Sequence, residues 1–189
     1  MLDECFNNGV SIARKICATK LSEGSIAVDC TMGKGNDTLY LSNLVGKEGE
    51  VFAFDVQEKA VDKTYKKLKE NNMLDRVNLI KDGHENIDKY IKNKVDLFMF
   101  NLGYLPGSDH DITTKPETTL KSLKKCIDLL KDKGIIIMVV YYGHENGKKE
   151  KIVLEKFVEN LNQKEYNVFK TCFVNQVNNP PFVICIEKR

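Results

Sequence analysis

The chain has 189 residues, 42% of them hydrophobic and 30% charged, with a formal net charge of +2 at pH 7. Those values fit one soluble domain, residues 1–189, with a sizeable core, and they give no strong basic field, so nucleic-acid binding is neither demanded nor excluded. No apolar run approaches the roughly 20 residues needed to cross a bilayer, so no membrane partner is expected.

Asp3 and Glu4 come too early for a signal-peptide pattern, and the six cysteines, at 5, 17, 30, 126, 172 and 185, form no Cys-x-x-Cys pair. Reduced, mostly buried thiols are expected, with no disulfide and no metal site, in a cytoplasmic protein.

Residues 3–20 carry Val10, Ile12, Ala13, Ile16 and Cys17 at helical spacing. The apolar run Ser25 to Val28 reads as a strand ending in Asp29. The turn Gly33-Lys-Gly35 follows, and a helix opens at Asn36 and Asp37, a pair expected to cap it. A second strand, Glu50 to Phe54, ends in Asp55. Glu58 to Asn71 is a Lys-rich amphipathic helix. Val77 to Ile80 is a third strand, running into Asp82-Gly83-His84, and Ile87 to Ile91 is a short helix. Val95 to Phe100 is a fourth strand, followed by a loop rich in Gly, Pro and Asp to about Thr114. Glu117 to Asp132 is helical, Gly134 stops it, and Ile135 to Tyr141 is a fifth strand. Glu150 to Leu161 is a helix. Tyr166 to Phe173 and Phe182 to Glu187 are two closing strands with no room for a helix between them.

This alternation implies an α/β fold: a largely parallel sheet with helices on both faces and an antiparallel hairpin at its end. Ligands in such sheets sit beyond the carboxyl ends of the strands. Asp29 to Asp37, Asp55 to Gln57, Asp82 to His84 and Asn101 to Pro106 should gather there.

A strand, a tight glycine turn and a helix N-terminus let backbone approach a nucleotide-like ligand, and an acid about 20 residues on suits a ribose diol. Asp55 is that acid, and Gln57 is either a helix start or an amide reaching the ribose. The dinucleotide pattern fails because Thr38 replaces its third glycine, and no Gly-Lys-Ser/Thr phosphate loop is present. Asp29 and Asp37 beside the turn suit a ligand carrying an ammonium group better than a pyrophosphate. Asn101, directly after an apolar strand, must find a polar partner. Its side-chain oxygen can accept a hydrogen bond from an attacking amine, and Tyr104 can stack on a flat base. His84 either stacks near an adenine or caps the next helix. His144, after the fifth strand, is either a general base or a surface residue. Asn179-Pro-Pro-Phe182 spells a similar pattern but reads as a hairpin turn. No Pro-Cys pair offers a covalent nucleophile.

The run Asp29-Cys-Thr-Met-Gly-Lys-Gly35, with Asp55 after the second strand, resembles the first two motifs of S-adenosylmethionine-dependent methyltransferases; Thr31 stands where the first glycine usually lies. The whole chain is similar to the YtqB/MnmM group, long labelled rRNA methylases. The residues carrying that likeness are Asn101-Leu-Gly-Tyr-Leu-Pro-Gly107, Tyr142-Gly-His144, Gly147, Glu150, Asn175-Gln176 and Asn179-Pro-Pro181. The resemblance implies a three-layer Rossmann-like fold whose seven-stranded sheet closes with an antiparallel hairpin. It implies S-adenosyl-L-methionine as cofactor, held by Asp29, Gly33, Gly35, Asn36, Asp37, Asp55, Gln57, Asp82, Gly83 and His84. Asn101, Tyr104 and His144 are the candidates for catalysis. The implied reaction is N-methylation of the 5-aminomethyl group of 2-thiouridine at the tRNA wobble position, with the anticodon region as partner. Methylation of ribosomal RNA or of a small molecule stays open, as does a homodimer. Lys121, Lys124, Lys125, Lys148, Lys149 and Lys151 are candidates for a basic rim.

Overall fold

The computed structural model describes residues 6–103 and 113–189. Its helices are α1 (Gly9–Lys20), α2 (Asn36–Val45), α3 (Glu58–Glu70), α4 (Pro116–Leu129) and α5 (Glu145–Glu159). Its strands are β1 (Ile26–Asp29), β2 (Glu50–Phe54), β3 (Val77–Ile80), β4 (Val95–Leu102), β5 (Leu130–Val140), β6 (Tyr166–Thr171) and β7 (Phe182–Lys188). They form one seven-stranded sheet in the order β3-β2-β1-β4-β5-β7-β6. The first five strands pair in parallel; β7 runs antiparallel to both β5 and β6.

Side-chain alternation in β4 builds the three layers. Phe98 and Phe100 face the side covered by α4 and α5, where they meet Leu123, Met138 and Leu154. Leu97 and Met99 face the other way, towards Ala13 and Cys17 of α1 and Leu41 of α2. A strand buried on both faces reads as a continuous apolar run, as β4 and β5 do. Asp96 ties the centre together, accepting the Ile26 N–H at 2.8 Å and pairing with Lys131 Nζ at 2.7 Å.

The strand order reverses between β1 and β4, which leaves a crevice at their carboxyl ends. The glycine turn lies there. Gly35, at φ 74°, takes the N-cap position of α2. A Cβ on it would lie 2.8 Å from Thr64 Oγ1 and 3.0 Å from Thr64 Cα, so the turn packs directly on α3. Asn36 and Asp37 are therefore inside the first turn of α2 and do not cap it, contrary to the expectation from sequence.

Several boundaries also differ; the fourth strand, expected to end at Phe100, runs on to Leu102 and takes in Asn101, and the sixth stops at Thr171 rather than Phe173. The fifth strand begins at Leu130, where a helix tail was expected; Lys133 adopts φ 62° and the β4–β5 register shifts between Val95 and Leu97. The last helix begins at Glu145 rather than Glu150. The short helix after β3 is a 3-10 segment, His84–Lys89.

Candidate active site

A cavity of about 400 Å³ opens at the β1/β4 crevice. Gly33 borders it from the glycine turn, Asp55 and Gln57 from the end of β2, Asp82, Gly83 and His84 from the end of β3, and Asn101 and Gly103 from the end of β4. Thr113, Thr114, Lys115 and Thr118 close it from the segment entering α4. Four loops far apart in sequence thus meet where the reading of strands placed them.

Asp55 is held by two backbone donors: Gly33 N–H gives to Oδ2 at 3.1 Å and Gln57 N–H to Oδ1 at 3.0 Å. Burial raises its pKa above the ordinary carboxylate value, and those N–H groups pull it back. Each carboxylate oxygen keeps a further lone pair for another donor. The Gln57 side chain makes no cap hydrogen bond to α3 although the residue sits at its N-cap.

Asp82 folds its own loop. It accepts from Gly83 N–H at 2.7 Å, Asn86 Nδ2 at 2.8 Å and the Tyr90 hydroxyl at 2.9 Å. His84 is 8% exposed and meets Phe100 edge-on, with ring centroids 5.6 Å apart. Burial pushes its pKa down to about 4, against the pull of Glu85. The ring is therefore neutral at neutral pH, and the Glu85 carboxylate 4.0 Å away makes no ion pair with it. His84 does not cap the 3-10 segment; Gly83 holds that position.

Asn101 is fixed at both ends. Its backbone N–H donates to Thr31 Oγ1 at 2.8 Å, and its Nδ2 donates to Asp37 Oδ2 at 2.6 Å. The buried Oδ1 has no hydrogen-bond partner among the described residues, and neither do Nδ1 of His84 or Oγ1 of Thr113. Three unsatisfied buried polar atoms on residues that line one cavity call for a polar ligand. An amino-bearing ring near His84 matches that inventory, and the remaining lone pairs of Asp55 suit a ribose diol, so the residues present fit S-adenosylmethionine.

Other residues singled out from sequence stand apart from the cavity. Asp29 is fully buried behind the turn, where its carboxylate accepts from Thr38 Oγ1 at 2.7 Å and Thr31 N–H at 3.1 Å. Burial, and next the charge of Asp37, raise its pKa to about 7. Gly35 shapes the turn from below, Asn36 bonds Lys67, and Asp37 pairs with Arg14 at 2.7 Å; none of the three is among the lining residues. His144 caps α5, its Nδ1 accepting Gly147 N–H at 3.0 Å, and it too does not line the cavity. Tyr104 lies outside the described residues. Asn179 to Phe182 reaches the same sheet edge as Asn101, because Phe182 pairs with Val140, but it does not line the cavity.

Sequence reasoning missed Thr31, Arg14 and Glu150 as parts of this site. Glu150 is completely buried and accepts from Thr114 Oγ1 at 2.9 Å and Thr119 Oγ1 at 2.6 Å. It thereby anchors the segment that closes the cavity. Burial raises its pKa, opposed by those two hydroxyls.

Among the described residues no helix is long and apolar enough to cross a membrane. No group of three or more metal-ligating side chains occurs among them either.

Solved structures share this architecture over nearly the whole chain. A "putative rRNA-methylase" of Clostridium thermocellum is 48% identical with a TM-score of 0.95, over 97% of this chain and 99% of that one. A "putative methyltransferase" of Streptococcus mutans, solved in complex with SAH, is 40% identical with a TM-score of 0.89, over 97% and 99% of the two chains. The sheet order, the glycine turn and these relatives define the protein as an S-adenosylmethionine-dependent methyltransferase of the Rossmann-like class. Residues 51–187 match the family described as "Putative rRNA methylase", and the chain belongs to that family. It is also 32% identical to the chloroplastic tRNA (mnm(5)s(2)U34)-methyltransferase of Arabidopsis thaliana, over 94% of this chain and 68% of that protein.

Proposed function

We propose that the protein N-methylates the 5-aminomethyl group of 2-thiouridine at the tRNA wobble position, giving 5-methylaminomethyl-2-thiouridine. The observation that carries an amine substrate is the buried, unpartnered Oδ1 of Asn101 at the cavity, an acceptor waiting for an N–H. The choice of tRNA rests on the Arabidopsis relative, whose name states that substrate.

In this reading Asp55 and Gln57 hold the ribose, the backbone at Gly33 lies along the cofactor while Gly35 holds the turn against α3, and Gly83 and His84 border the adenine. Asp29 and Asp37 support the turn from behind. When bound, the cofactor supplies a methyl group on a sulfonium, and its C–S bond breaks as the new C–N bond forms. Asn101 Oδ1 accepts one N–H of the neutral amine and points the nitrogen lone pair at the methyl. An ammonium has no lone pair to offer, so the amine sheds its proton before attack. The secondary ammonium product releases its extra proton to water. Orientation of this kind accounts for up to about 7–11 kcal/mol of barrier lowering in well-aligned systems. Tyr104 is the candidate to stack on the base, and Lys121, Lys124, Lys148 and Lys149 offer a phosphate rim. Lys125 is less available, being paired with Asp88 at 2.6 Å, and Lys151 lies over the Tyr142 ring at 4.7 Å.

The test is nucleoside mass spectrometry after incubating purified protein with S-adenosylmethionine and two tRNA preparations, with and without the aminomethyl group. One methyl gained on nitrogen in the first alone is expected. Methylation of ribosomal RNA instead, or of both tRNAs alike, would refute the assignment.

A further inference from the structure

We infer that Arg14 is a positioning residue for methyl transfer: acting through Asp37, it fixes which way the Asn101 amide faces. The inference rests on Asn101 Oδ1 being the acceptor for the substrate amine.

An asparagine side chain is nearly symmetric in shape, and only its partners decide which end is oxygen. Asp37 makes that decision here. Its Oδ1 accepts from Arg14 Nε at 2.7 Å, and its Oδ2 accepts from Asn101 Nδ2 at 2.6 Å. An ionised carboxylate can only accept, so Asn101 must turn its NH2 towards it. The oxygen is left on the other side, where it has no partner among the described residues. Thr31 removes the remaining freedom by accepting the Asn101 backbone N–H at 2.8 Å.

Arg14 is itself held. Its guanidinium carbon lies 5.3 Å from the centre of the Tyr40 ring, and the Tyr40 hydroxyl donates to the Arg14 carbonyl at 3.0 Å. Without the guanidinium, Asp37 Oδ1 loses its partner and the carboxylate is free to swing away from Asn101 Nδ2. An amide released from Asp37 can turn its NH2 towards an amine that needs an acceptor.

The test compares Arg14→Ala, Arg14→Lys, Asn101→Ala and the Arg14→Ala/Asn101→Ala double variant. Losing one oriented hydrogen bond should lower kcat in Arg14→Ala by about tenfold. KM for tRNA and calorimetric affinity for S-adenosylhomocysteine should stay unchanged, which also reports an intact fold. Arg14→Lys, which keeps the charge, should recover most of the loss, and the double variant should be no slower than Asn101→Ala alone. Independently of turnover, the Asn101 side-chain NH2 resonance, identified by its absence in Asn101→Ala, should move in Arg14→Ala. If the alanine variant does not fold, Asp37→Asn removes the acceptor-only partner and should give the same loss. Multiplicative losses in the double variant, or an unmoved Asn101 amide resonance, would overturn the role of Arg14. Wild-type turnover in Asn101→Ala would overturn the acceptor role of Asn101, and the role of Arg14 with it.

Discussion

The carboxyl of Asp29 should make this protein less stable as pH rises through the neutral range, and Asp29→Asn should abolish that loss. Asp29 is fully buried, and its pKa is raised from 3.8 to about 7, by burial first and then by Asp37. Between those two values the folded chain holds a proton that the unfolded chain has released. Stability therefore has a negative slope with pH across the window: its contribution is complete below the unfolded pKa and is lost as pH climbs to about 7. With each unit worth 1.36 kcal/mol, the shift amounts to about 4 kcal/mol. Asparagine suits the site, because its oxygen can take the Thr31 N–H and its NH2 can give to the Thr38 hydroxyl, which now donates to Asp29. Urea unfolding of both proteins from pH 4 to pH 8 isolates the effect, since Asp55 and Glu150 titrate in both and cancel in the difference. The variant should match the wild type near pH 4 and exceed it by a few kcal/mol at pH 8. Parallel curves would show that the two donors offset burial and that the carboxyl titrates normally.

Asp55→Ala should weaken S-adenosylhomocysteine binding at least about tenfold by calorimetry, as expected for losing charge-assisted bonds to a diol. Asn101→Ala should lower kcat far more than cofactor affinity, the pattern of a group acting in the transition state; equal losses in both would count against it. Gly35→Ala should cost about 2–4 kcal/mol in chemical denaturation, because alanine must hold a left-handed backbone and press against the Thr64 Cα. A wild-type midpoint for that variant would mean the turn shifts without cost.

Much of the sheet was legible because buried parallel strands are unbroken apolar runs. Glu50–Phe54 and Val77–Ile80 appear where sequence placed them. The boundaries that failed did so for local reasons. Lys131 to Lys133 look like a charged helix tail, yet Leu130 already pairs with Val95. The start of α5 was hidden by glycines, but Gly147 is needed inside its first turn, where a Cβ would lie 2.2 Å from the Tyr141 carbonyl oxygen. Within the site, Asp55, His84 and Asn101 were readable because each stands at, or within a few residues of, the carboxyl end of a strand. Arg14 was not, since its partner lies 23 residues away on another helix. Thr31 looked like a defect in a glycine motif, whereas its hydroxyl receives the Asn101 backbone N–H.

The position of β1 inside the sheet, between β2 and β4, has a consequence for how the chain is made. Its neighbour on one side, β2, follows closely in sequence, but its neighbour on the other side is β4, and Ile26 and Asp96 are separated by 70 residues. At about 5–20 residues per second, a ribosome delivers that second neighbour roughly 4–14 s after the first strand. During the interval the nascent half-sheet of β1, β2 and β3 presents the row of unpaired backbone groups that β4 will later cover, a template for pairing with another chain. The bond between Thr31 and Asn101 spans the same 70 residues. The methyl-transfer site and the shielding of that bare edge are therefore completed by the same late arrival.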